Sequence, residues 1–151
     1  MFSVKKTMFL PCVFMFLVLA CAPGYLTPHK AFEGLRSAFL KHDVELARSI
    51  LSENSVAKIS TLRENLASLG DKQAESVSKL YGLSVQDIKE ASEEKLLGLF
   101  MFLQKDVIFN GDSSITEVVE SGNNAVVKLH NGNELDFVKE GLYWKFDLSR
   151  L

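Results

Sequence analysis

Residues 127–148 read VKLHNGNELDFVKEGLYWKFDL, and their alternation of apolar and polar side chains is that of antiparallel strands with one dry face. Two turn signals interrupt it, at Asn131-Gly132 and Glu140-Gly141. A two-residue loop at Asn131-Gly132 would set Leu129 opposite Glu134 and Val127 opposite Asp136, mixing the faces. A three-residue loop, His130-Asn131-Gly132 with Gly132 left-handed, pairs Val127 with Leu135 and Ala125 with Phe137. The second register keeps one face apolar and is the one adopted. A two-residue Glu140-Gly141 loop then sets Phe137 beside Trp144 and Leu135 beside Phe146. The predicted core face is Val127, Leu135, Phe137, Trp144 and Phe146.

Working back from this hairpin pair, alternation predicts strands over 107–110, 115–120, 125–129, 134–139 and 142–148, with turn residues between them. Before residue 105 the period is helical. Thr27-Pro28 reads as an N-cap with proline at the first helical position, followed by Phe32, Leu35 and Phe39 on one face. Asp43 caps a second short helix. Ser55 starts a third, with the stripe Ile59, Leu62, Leu66 and Leu69, and Gly70 stops it. Asp71 opens a fourth that closes at Gly82. Ser84 and Asp87 stand at capping-box spacing, with Leu83 and Ile88 where a hydrophobic staple would pack, and a break is expected near Ser92. The run 96–103, LLGLFMFL, is apolar all round yet too short to span a bilayer, so it reads as a buried helix. Helices first and strands afterwards make an α+β domain, N-terminal helices packed on a C-terminal antiparallel β-meander of four or five strands.

The N-terminus is of another kind. Lys5 and Lys6 precede an apolar run from Met8 to Leu19, with Ala20 behind it, the order of a secretory signal. Val18-Leu19-Ala20-Cys21 is similar to the lipobox of bacterial lipoproteins. The resemblance implies a diacylglyceryl group on the Cys21 thiol and cleavage that leaves Cys21 as the new N-terminus. It divides the chain into a signal peptide, 1–20, a lipidated tether, 21–26, and one domain, 27–151. Six tether residues reach about 20 Å at most. The implied place is the bacterial cell envelope, at the outer membrane if there are two, because Ala22 rather than Asp follows the cysteine.

Cutting twenty residues from 151 leaves 131, enough for one domain. The cut takes away Lys5 and Lys6 and no acid, moving the net charge from −2 to −4. A mildly acidic surface repels phosphate backbones, which argues against nucleic acid as a partner. The two cysteines are Cys12, inside the signal, and Cys21. The domain itself therefore carries neither a disulfide nor a catalytic thiol.

Two stretches of the domain, 38–47 (AFLKHDVELA) and 127–148 with its closing GLYWKF strand, resemble the nuclear-transport-factor-two-like superfamily, a cystatin-like α+β arrangement. That resemblance implies helices on a curved antiparallel sheet and, in some members, a cone-shaped pocket that holds a small molecule or an active site. Residues 55–104 depart from it, reading as helix where many members place early strands, so a reduced sheet is expected.

The chemistry-bearing residues are sparse. Val107 to Ser113 (VIFNGDS) is similar to the nucleophile block of SGNH-type hydrolases, but no Asp-x-x-His follows among the remaining residues, and a serine without a base is a weak nucleophile. The stretch reads instead as a turn between strands. His29, His42 and His130 match no metal spacing, and Asp136, Tyr143, Lys145 and Asp147 alternate onto a solvated face away from Phe137 and Trp144. Glu90, Glu93 and Glu94 form a local acidic cluster, and the start of a helix at Ser92 accounts for Glu93 and Glu94 better than a cation site does. No Gly-rich phosphate loop or other cofactor motif is present. Phe100, Phe102, Phe137, Trp144 and Phe146 remain as aromatic candidates to line a cavity between helix and sheet; filling that space as core is the commoner use of such residues. The expected function is a lipid-anchored, non-enzymatic module that contacts another protein or an apolar small molecule. The alternative is a small-molecule pocket or pocket enzyme of the superfamily's kind. An inward-facing Asp, Tyr or His among the aromatics would favour the alternative, and a solid core with an exposed apolar patch the first.

Overall fold

A computed structural model describes residues 24–150. The signal segment and Cys21 lie outside the described residues. Six helices precede one sheet: α1 Pro28–Lys41, α2 Val44–Ile50, α3 Glu53–Ala67, α4 Asp71–Tyr81, α5 Val85–Lys89 and α6 Glu93–Ile108. Strands β1 Ile115–Ser121, β2 Asn124–Leu129, β3 Glu134–Glu140 and β4 Tyr143–Phe146 follow as an antiparallel meander in the order β1-β2-β3-β4. This is the expected α+β layout, with four strands.

Local chemistry starts most helices where expected. Thr27 caps α1 by accepting the Lys30 N–H, with Pro28 behind it. Asp43 caps α2 and Ser84 caps α5. The break near Ser92 is real, because Ser92 Oγ accepts the Lys95 N–H and begins α6. Helix α3 corrects one expectation. Its N-cap is Ser52, and Ser55 lies inside the first turn. Gly70 does not stop α3, which ends at Ala67; it stands at the N-cap of α4.

The register of β2 and β3 is the predicted one, Val127 on Leu135 and Ala125 on Phe137, with Gly132 at φ +88°. The last hairpin differs. Phe137 pairs with Phe146 and Lys139 with Trp144, so the turn is Gly141-Leu142 rather than Glu140-Gly141. Gly141 takes the positive φ that the first central position of a primed turn requires. The slip is two residues, one full strand period, and the predicted core face is therefore unchanged. In β1 the register shifts between Ile115 and Glu117. That bulge lets Ile115 and Val118, three residues apart, both turn toward the core.

The expected strand at 107–110 is absent, because α6 continues through Ile108. Leu97, Met101 and Ile108 recur on one helical stripe and are buried. The last carbonyls of α6 are satisfied from afar: Asn133 Nδ2 donates to Val107 O and Ile108 O, and Asn131 Nδ2 to Ile108 O and Asn110 O. A helix end completed by the β2–β3 turn leaves no trace in local periodicity. Phe109, just past the helix, puts its ring 5.4 Å from Phe39 and 6.1 Å from Phe32.

Helix α1 lies across the sheet and against α2 and α6. Phe32, Leu35, Phe39, Ile50, Met101, Val127, Leu135, Phe137 and Phe146 fill the space between. The link between α2 and α3 is welded to the end of β4. Leu51 bridges Phe146 in parallel, and Ser52 N–H donates to Phe146 O at 2.9 Å. Buried Ser55 Oγ lies 2.8 Å from Ser52 Oγ and accepts the Leu148 N–H at 2.8 Å. Ser55→Ala would leave that partly buried N–H without its acceptor, and a loss of about 1–2 kcal/mol is expected. Urea unfolding checks this; a change inside error would show the hydroxyl to be replaceable.

Candidate functional site

The five aromatic candidates do not form one lining. Phe137, Trp144 and Phe146 are core, the first and last with ring centroids 5.5 Å apart. Phe100 is half-buried, its ring 6.1 Å from that of Phe39. Phe102 is 67% exposed and lies outside the core. Among the described residues the buried polar side chains are Ser52, Ser55 and Ser113; no Asp, Tyr or His is buried among the aromatics, and Tyr25 packs against them half-buried.

The helix expected to be buried all round is instead shared between two neighbours. One face of α6, carrying Leu97 and Met101, enters the core. Another, carrying Leu96, Leu99, Phe100 and Leu103, forms one wall of an open groove of about 430 Å³. Leu62 and Leu66 of α3 and Val77 and Tyr81 of α4, each pair one turn apart, supply further walls, and Leu83, Ile88 and Ala91 complete the lining. Asp87 is its acidic rim residue. The hydrogen bond with Ser84 is the main reason its carboxyl sits below the usual range, and Lys95 at 3.7 Å adds to that. The groove therefore presents apolar walls with a carboxylate at the edge. The signal for it in the sequence is a helix apolar on every face but too short for a membrane: one face is surplus to the core.

The remaining sequence candidates are scattered. Gly111-Asp112-Ser113 forms a turn from α6 into β1, not between two strands. Gly111 has φ +57°, and Asp112 Oδ1 accepts the Ser114 N–H at 3.0 Å. The bonds to Ser114 chiefly lower the Asp112 carboxyl below its usual range, with smaller contributions from His130 and Arg36. Asp136 stands opposite Val126 of β2. The face read as solvated is partly covered: Lys145 Nζ donates to Ser49 O of α2, and Asp147 Oδ1 lies 3.4 Å from Ser55 Oγ. Glu93 has a partner that spacing could not show, Arg48 of α2 at 2.8 Å. No three His, Cys, Asp or Glu side chains converge as a metal site among the described residues. No helix among them is long and apolar enough to cross a membrane.

Gly24 and Tyr25, counted above with the tether, pack on the domain. Tyr25 O accepts the Trp144 N–H at 2.8 Å and so extends the edge of β4. Neither Gly24 nor Gly34 has room for a Cβ, which would fall into the Tyr143 ring at one and the Tyr25 ring at the other. Two residues, Ala22 and Pro23, separate Cys21 from Gly24 in the sequence.

Comparison with protein-family models, with curated proteins and with solved structures finds no match for this chain.

Proposed function

We propose that this chain is an exported bacterial lipoprotein, anchored through Cys21, whose domain is a non-enzymatic binding module using the groove between α3, α4, α5 and α6. The lipobox-like residues Val18 to Cys21, behind a charged start and an apolar run, support the anchor. The closing hairpin, with GLYWKF at 141–146, supports kinship with nuclear-transport-factor-two-like domains, a kinship of fold that leaves function to the site.

The observation that carries the binding reading is the contrast between two places. The space between α1 and the sheet, where that superfamily opens its cone, is occupied by Phe32, Phe39, Phe137 and Phe146. The groove on the helical side is open and apolar. A core in which no described carboxylate or imidazole is buried gives little support to proton-transfer chemistry, whereas an exposed apolar groove gains by being covered. Apolar side chains of a protein partner suit it best. Its volume also falls within the range of small-molecule sites, roughly 300–1,000 Å³, which keeps an apolar ligand as the second reading.

Native mass spectrometry of residues 22–151, purified gently, tests this. The bare polypeptide mass is expected, because an open groove does not retain a ligand through purification. An added mass that is lost on denaturation would contradict the reading and point to a resident small molecule.

A further inference from the structure

We propose that the end of the domain formed by Leu26, Leu142 and Tyr143 sits in the lipid interface, so that the anchor and the β3–β4 turn together fix the domain's orientation on the bilayer. The proposal rests on lipidation of Cys21 and adds to it a specific contact surface.

Three observations meet at one place. The chain leaves the domain at Gly24, which is packed on the Tyr143 ring, and Tyr25 is held to β4 by the Trp144 N–H. Large apolar side chains bracket that exit without cover: Leu26 is 67% exposed, Leu142 71% and Tyr143 42%. The third is length. From Cys21 to Gly24 the chain spans three residues, about 11 Å at full stretch. The polar layer of one leaflet is roughly 5–8 Å deep, being half the difference between whole-bilayer and hydrocarbon thickness. A domain whose first packed residue is at most that far from a lipid-bearing cysteine has its exit end within reach of the headgroups and turned toward them.

The residues there suit such a setting. Leucine gains by leaving water, and tyrosine has an apolar ring with a polar tip of the kind found at membrane surfaces. Glu140, the acid beside the turn, is engaged elsewhere: its Oε1 accepts the Glu53 N–H at 2.8 Å, at the first turn of α3. Lys139 holds its Nζ 6.0 Å from the Trp144 ring centroid, and its long stem can carry that charge to the headgroups. The opposite end of the sheet offers a built-in control. The β2–β3 turn at Asn131-Gly132 is polar and caps α6.

Hydrogen exchange tests the contact independently of lipidation in cells. The whole folded core lies between Tyr25 and Leu148, so residues 21–151 can be coupled through the Cys21 thiol to a maleimide lipid. The vesicles are phosphatidylethanolamine with phosphatidylglycerol, and the reference is the same protein with Cys21 blocked. Coupling should slow exchange at Gly141, Leu142 and Tyr143 about tenfold, the effect of moving one large apolar side chain out of water. The 130–133 turn should be unchanged, and Leu142→Asp, at an exposed turn position, should remove the protection while leaving the fold intact. Equal exchange at Gly141 to Tyr143 in coupled and blocked protein would overturn the proposal, as would equal protection at both ends of the sheet. Whether Cys21 is acylated in the bacterium is read separately, from the mass of the extracted protein, so either claim can fail alone.

Discussion

Phe146→Ala is expected to lower the stability of the domain by about 3–5 kcal/mol, the cost of truncating a fully buried aromatic side chain and leaving a cavity. Phe146 is 0% exposed and packs on Phe137 across the last hairpin. Its backbone oxygen also receives the Ser52 N–H, so the residue joins the sheet to the α2–α3 link. The domain has no disulfide to offset the loss, since the chain's two cysteines are Cys12 and Cys21. Against a total of about 5–15 kcal/mol for a domain, roughly a fifth or more of the stability would go. Trp144, the single tryptophan, is 3% exposed and reports unfolding in urea directly. Phe102→Ala is the contrast: at 67% exposure it should change stability by no more than about 0.5 kcal/mol. Equal effects of the two substitutions would contradict the division of these aromatics between core and surface.

The second large effect concerns the anchor. Cys21→Ser should reduce incorporation of radiolabelled palmitate from full to background, because a serine hydroxyl does not replace the thiol that takes the diacylglyceryl group. The physical consequence is as marked as the chemical one. Each buried CH₂ contributes about 0.8 kcal/mol, so two acyl chains hold the protein effectively irreversibly where one gives only marginal binding. Without them, Leu26, Leu142 and Tyr143 are too small an apolar surface to retain the domain. A mutant relieved of its signal peptide should therefore leave the membrane fraction. A wild-type protein that takes no label, or a mutant that still does, would sink the lipidation reading.

How far the sequence carried differs from element to element, for physical reasons. Val127 opposite Leu135 was legible because only one loop length keeps apolar residues on one face. The β3–β4 pairing differs from the expected one by two residues because period-2 patterning is blind to a shift of one full period; the choice fell to Gly141, which takes the positive-φ position. Helix caps such as Thr27, Asp43 and Ser84 were legible as local hydrogen bonds. The end of α6 was not, since Asn131 and Asn133 complete it from more than twenty residues away. Ser55 looked like a cap because its environment could not be seen; its hydroxyl serves the end of β4 while Ser52 does the capping. The groove lay hidden for the same reason. Nothing in LLGLFMFL says which apolar face meets the core and which stays open until α3 and α4 are placed.

The account's central claim is that lipid on Cys21 holds this domain at a membrane. Its most direct test is the intact mass of the wild-type protein extracted with detergent from the membranes of a bacterium that processes lipoproteins. The account predicts the mass of residues 21–151 increased by a diacylglyceryl group and any further acyl chain, with the addition on the N-terminal peptide. The unmodified mass of residues 1–151, or of a chain cut elsewhere and free of lipid, would contradict it.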